Sequence, residues 1–89
     1  MFVRVRYIAQ TDRHPSRFEL YFLRSRLKKV ISQHGEQYDD CSGTDEKAGK
    51  WLRDNGFVIT AHGECDKPGQ SWFAVNPVKG DNAMRELLR

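Results

Sequence analysis

Arg17, Tyr21, Arg24 and Lys28 recur at spacings of four, three and four residues, with Arg26, Lys29 and Phe22 interleaved. Guanidinium and ammonium groups neutralise phosphates and displace counterions, and an aromatic ring set between them can stack on a base. Arg4 and Arg6, two residues apart near the N-terminus, extend the same basic character. The chain of 89 residues has a net charge of +3, unevenly spread. Residues 1–34 hold eight basic and two acidic side chains, and residues 35–89 hold seven and ten. That asymmetry points to a polyanionic partner for one face, and equally to a solvated basic surface paired with the acidic half.

Other chemistries find less support. His62-Gly63-Glu64-Cys65 contains the His-x-Glu of zinc deaminases, but no Pro-Cys-x-x-Cys segment follows. His34, Cys41, His62 and Cys65 are zinc-ligand types at spacings that match no known finger or ribbon. Cys65 near His62 or His34 lacks an orienting third group for nucleophilic catalysis, and the glycines match no phosphate loop. The expectation is a protein that is not an enzyme, with no cofactor and no metal. Two cysteines suggest reduced thiols rather than a disulfide framework.

Positioning these residues requires a fold. Val3, Val5, Tyr7 and Ala9 alternate with Phe2, Arg4, Arg6 and Ile8, which reads as a strand. Ser16-Arg17-Phe18-Glu19 has the form of a capping box and predicts a long helix from Ser16 to Gly35. Leu20, Leu23, Leu27, Val30, Ile31 and His34 would form its inner seam, with Arg17, Tyr21, Arg24 and Lys28 as a ridge beside it. An acidic loop, Glu36 to Gly43, leads to Thr44 as cap of a second helix ending at Gly56. Phe57–His62 and Ser71–Asn76 read as a hairpin around Lys67-Pro68-Gly69-Gln70. A short C-terminal helix is expected from Asn82 to Arg89, with Met84, Leu87 and Leu88 facing in.

The predicted fold is thus α+β, in the order β-α-α-β-β-α. A small antiparallel sheet, three-stranded by count of predicted strands, packs on two main helices and a short C-terminal one, in a single domain over 1–89. Arg4 and Arg6 point to the outer face of that sheet. Depending on register, His62 and Trp72 or Phe73 lie beside them as a single-strand platform. The competing reading has helices covering that face and the aromatics forming the core.

Residues 44–76, with Lys50-Trp51-Leu52-Arg53-Asp54-Asn55-Gly56-Phe57-Val58 followed by a hairpin, resemble the recognition helix and wing of winged-helix DNA-binding domains. The resemblance implies that Lys47, Lys50 and Arg53 face DNA, with Lys67 on the wing. The element order is also similar to that of KH RNA-binding domains, but their Gly-x-x-Gly loop has no counterpart between Gly35 and Gly43, and the family is not assigned.

The function expected is a small nucleic-acid-binding accessory or regulatory module using Arg4, Arg6, Arg17, Tyr21, Arg24 and Lys28. The alternative is a protein-interaction module, an inhibitor or adaptor of phage or mobile-element type, that binds a host protein through Glu36 to Asp40 and its C-terminal tail. No stretch is apolar enough to span a bilayer and no secretory signal pattern opens the chain. A cytoplasmic protein with no membrane partner is therefore expected.

Overall fold

The computed structural model describes residues 1–77. The opening alternation forms β1, Phe2–Ile8, with Val3 and Val5 buried and Arg4 and Arg6 exposed. A second alternation, Phe18, Leu20 and Phe22 against Glu19 and Tyr21, forms β2, Arg17–Phe22. The chain then turns through Leu23-Arg24-Ser25-Arg26 into β3, Leu27–Ser32.

This hairpin replaces the long helix expected from Ser16 to Gly35, so the sheet does not pack on two main helices. The apolar residues of the segment satisfy both periods, and burial decides between them. Phe18, Leu20 and Phe22 are fully buried, whereas Leu23 and Val30 of the supposed helical seam are about half exposed, at 48% and 49%. Ser16 and Glu19 do not cap a helix. The Ser16 carbonyl accepts from the Gln33 amide across the hairpin at 3.1 Å, and the Glu19 carboxylate binds Arg6. Arg26 adopts a left-handed φ of 57°, and its amide donates to the Phe22 carbonyl at 2.8 Å. That closes a four-residue hairpin loop in which a helix cannot continue.

A 3-10 turn at Glu36–Tyr38 precedes the helix α1, Thr44–Asp54. Gly43, not Thr44, occupies the cap position. Glu46 reaches back to accept from the Ser42 amide at 3.1 Å and hydroxyl at 3.0 Å, which satisfies an otherwise free donor at the helix start. These bonds hold the Glu46 carboxyl below its ordinary titration range. Asn55 and then Gly56, at φ 88°, end the helix. Strands β4, Phe57–Glu64, and β5, Gln70–Pro77, complete the fold. The expected C-terminal helix, with Met84, Leu87 and Leu88, lies outside the described residues.

The five strands form one antiparallel sheet in the order β3-β2-β1-β5-β4. In place of three strands on two helices there are five strands and, among the described residues, one α-helix. α1 packs against β1, β2 and β4 on one face. Beneath it Val3, Val5, Phe18, Leu20, Phe22, Phe57, Phe73 and Val75 meet Ala48, Leu52 and Tyr38. Burying such a large apolar side chain contributes about 1.5–3 kcal/mol relative to exposure, and this layer is the core. No helix of the described residues is long and apolar enough to cross a membrane.

Candidate nucleic-acid interface

Directly paired residues in a sheet share a face, so the register tells which side chains meet on the side away from α1. Arg4 of β1 pairs with Tyr21 of β2 and with Trp72 of β5. Tyr21 pairs onward with Lys28 of β3, and Trp72 with Gly63 of β4. One row, Lys28–Tyr21–Arg4–Trp72–Gly63, therefore crosses all five strands.

The Arg4 guanidinium carbon stands 5.0 Å from the centroid of the Tyr21 ring, and the Lys28 Nζ 5.9 Å from it. Tyr21 thus lies between two cations, each held by the negative face of its ring. Neither Arg4 nor Lys28 forms a salt bridge among the described residues.

Trp72 occupies the other half of the row. A Cβ placed on Gly63 would stand 2.5 Å from Cε2 and 2.6 Å from Nε1 of the indole, with Cζ2 comparably near. The indole therefore packs directly against Gly63, and only glycine permits that approach. Phe2, 53% exposed, packs against the indole in a T-shaped arrangement, with ring centroids 6.0 Å apart.

A bulge in β4 creates this contact. Ile59 pairs with Val75 and Ala61 with Ala74, so Thr60 is an extra residue in β4, and its hydroxyl donates to the Ala74 carbonyl at 3.1 Å. The bulge shifts the alternation by one residue. It sets Gly63 beneath Trp72 and turns His62 to the helix side. His62, a possible neighbour of Arg4 and Arg6 on the outer face from sequence, instead stacks on Phe73 with centroids 4.6 Å apart. Its Nε2 lies 3.3 Å from Asp45 in the first turn of α1.

The remaining candidate residues are more dispersed. Arg6 sits one row along, with Nη2 donating to the Glu19 carboxylate at 2.9 Å, so its charge is largely matched. Arg17 pairs with Ile8 and Ser32 at the far end of the sheet, and its buried Nε has no hydrogen-bond partner among the described residues. Arg24 lies in the exposed β2–β3 turn with Arg26. Arg4, Tyr21 and Lys28 are thus brought into contact, and Arg6, Arg17 and Arg24 stand apart from them. Gly63 is the part of this site that sequence reading missed. Its signal was a glycine inside a strand, which marks a close approach.

α1 does not match the recognition helix of the winged-helix resemblance. Lys50 Nζ is bound to Asp54 at 3.0 Å, Lys47 Nζ donates to the Gln33 carbonyl at 3.0 Å, and Glu46 lies on the same helix. The Ser71 hydroxyl donates to Asp45 Oδ1 at 2.6 Å, while His62 meets Oδ2. With the carboxylate in the middle, the imidazole is not placed to deprotonate the hydroxyl, and the three groups clasp α1 to the hairpin. Cys41 and Cys65 are free thiols. Among the described residues no three side chains of His, Cys, Asp or Glu stand close enough to share a metal ion.

Comparison with protein-family models, with curated proteins and with solved structures finds no match to this chain.

Proposed function

We propose that the protein is a nucleic-acid-binding accessory module whose contact surface is the sheet face away from α1. The observation that carries this reading is the row Lys28–Tyr21–Arg4–Trp72, in which two cations with no salt bridge among the described residues and a partly exposed indole stand in register on adjacent strands. Arg4 and Lys28 take phosphates, with Tyr21 as the bracket that holds both cations in place. Arg24 and Arg26, on the β2–β3 turn, add long-range attraction, and Arg17 extends the basic surface toward the far end of the sheet.

Fluorescence anisotropy against labelled DNA and RNA across a salt series tests this. The reading expects log affinity to fall linearly with log salt. The Arg4→Ala/Lys28→Ala double variant should reduce that slope by about 1.5, the loss of two phosphate contacts. Absence of binding at low salt would sink the reading.

A second reading, a protein-interaction module, draws on one observation. β3 and β4 end the sheet with edges that have no paired strand among the described residues, and such edges accept an added strand from a partner. Copurification of a protein after nuclease treatment, lost when proline replaces Val30 in β3, supports that reading.

A further inference from the structure

Resting on the nucleic-acid reading, we infer that the ligand is single-stranded and that Trp72 is the residue on which one of its bases stacks. Of the two aromatic rings in the row, Tyr21 is flanked by Arg4 and Lys28, whereas Trp72 packs against Gly63 and stays partly exposed, with no cation over its ring among the described residues. Phe2 packs against the indole in a T-shaped arrangement and is itself half exposed, so the two rings form one aromatic patch.

A duplex keeps its bases stacked on one another and offers a protein only their edges and the phosphates. Contact with duplex would bury Trp72 and Phe2 against phosphate with no ring to meet them. A single strand has free base faces, and stacking on an aromatic side chain suits every base. Groove reading needs a protruding helix or ribbon, and α1 lies on the opposite side of the sheet with Lys50 consumed by Asp54.

The charge pattern agrees. Arg4 separates Trp72 from Tyr21, so a phosphate over Arg4 lies one strand spacing, roughly 5 Å, from the stacked base. One row further, Glu19 sits beside Arg6 and disfavours a second line of phosphates. The surface suits one polyanionic strand crossing the β-strands, not two.

The test uses the full chain with labelled dT and rU oligomers of roughly ten nucleotides and a duplex of the same length. Single strands should bind more tightly than duplex, and the two sugars separate DNA from RNA. Trp72→Ala should weaken single-strand binding by roughly 5- to 150-fold, the range for one stacked base, and leave duplex affinity unchanged. Trp72→Phe should retain most of the affinity. In a Trp51→Phe background Trp72 is the only tryptophan, and stacking should quench its emission at saturating oligomer with the aromatic platform intact. Salt-sensitive binding that is equal for duplex and single strand, with Trp72 emission unchanged, overturns this inference and leaves the broader reading standing. No salt-sensitive binding of any nucleic acid removes both.

Discussion

The Trp72 indole packs directly against Gly63, its direct partner across the β4–β5 ladder. Thr60, the extra residue in β4, sets the parity that puts glycine there. Replacing Gly63 with alanine forces the indole to stand away from the sheet. The cost is expected to be about 1–3 kcal/mol, as for an overpacked site, with Trp72 emission shifted to the red in a Trp51→Phe background. Denaturant melts and emission spectra check both, and unchanged spectra would mean that the ring does not lie on Gly63.

Arg26 separates the hairpin from the helix that the sequence pattern also permits. At a left-handed φ of 57° glycine relieves strain that a side chain imposes, so Arg26→Gly should stabilise the protein by about 0.5–1 kcal/mol. In a helix interior the same change would cost a similar amount relative to a good helix former. The sign of the shift in a urea midpoint decides the matter.

Glu19 holds Arg6 at 2.9 Å and is nearly buried. Glu19→Gln keeps the shape and removes the only carboxylate in the Val30–Glu19–Arg6–Gln70 row. Stability should fall by about 0.5–1 kcal/mol for the lost cross-strand pair. Nucleic-acid affinity should rise several-fold at low salt as Arg6 becomes available, and the salt slope should steepen by about 0.7–0.9 for one added phosphate contact. Weaker binding with an unchanged slope would exclude Arg6 from the interface.

Tyr38 supplies a pH dependence. Burial pushes its phenol above the ordinary value of 10.0, against an opposing hydrogen bond from Gln37. The folded chain therefore keeps its proton where the unfolded chain has released it. Stability from this group is fully present below pH 10 and falls as pH rises through the folded value. Tyr38→Phe should flatten the fall in melting temperature above pH 10, and a fall of equal steepness in the variant would assign it to another group.

Glu46 acts in the opposite range. Its carboxyl is held below 4.5 by the Ser42 amide and hydroxyl, so its contribution is present above that value and lost as pH falls through the folded one. Glu46→Gln should reduce the acid sensitivity of the melting temperature, and unaltered sensitivity would mean that the Ser42 contact does not persist in solution.

Much of the fold was legible where one period stood alone. β1 alternates without ambiguity, α1 is bounded by acidic residues at its start and Gly56 at its end, and the β4–β5 hairpin surrounds Pro68-Gly69. The segment 16–35 was not legible in this way, because leucines at 20, 23 and 27 fit a helical face while 18, 20 and 22 fit a strand. Burial of Phe18 and Phe22 under α1, a tertiary effect, selected the strand. Part of the basic cluster is common to both structures for a geometric reason. Residues four apart share a face in either period, so Arg17 and Tyr21 keep a common face although the strand spaces them further apart than a helix would, and the hairpin register then sets Lys28 opposite Tyr21. Arg24 departs because it falls in the turn. The position of Gly63 beneath Trp72 depends on a bulge, which no local period encodes.

The most direct test of the sheet face as the nucleic-acid interface is amide and indole chemical-shift mapping during titration with a short single-stranded oligonucleotide. The account predicts the largest shifts at Arg4, Tyr21, Lys28, Gly63 and the Trp72 indole N–H, with Lys47, Lys50 and Arg53 of α1 unmoved. Shifts centred on α1, or none at saturating oligonucleotide, would contradict it.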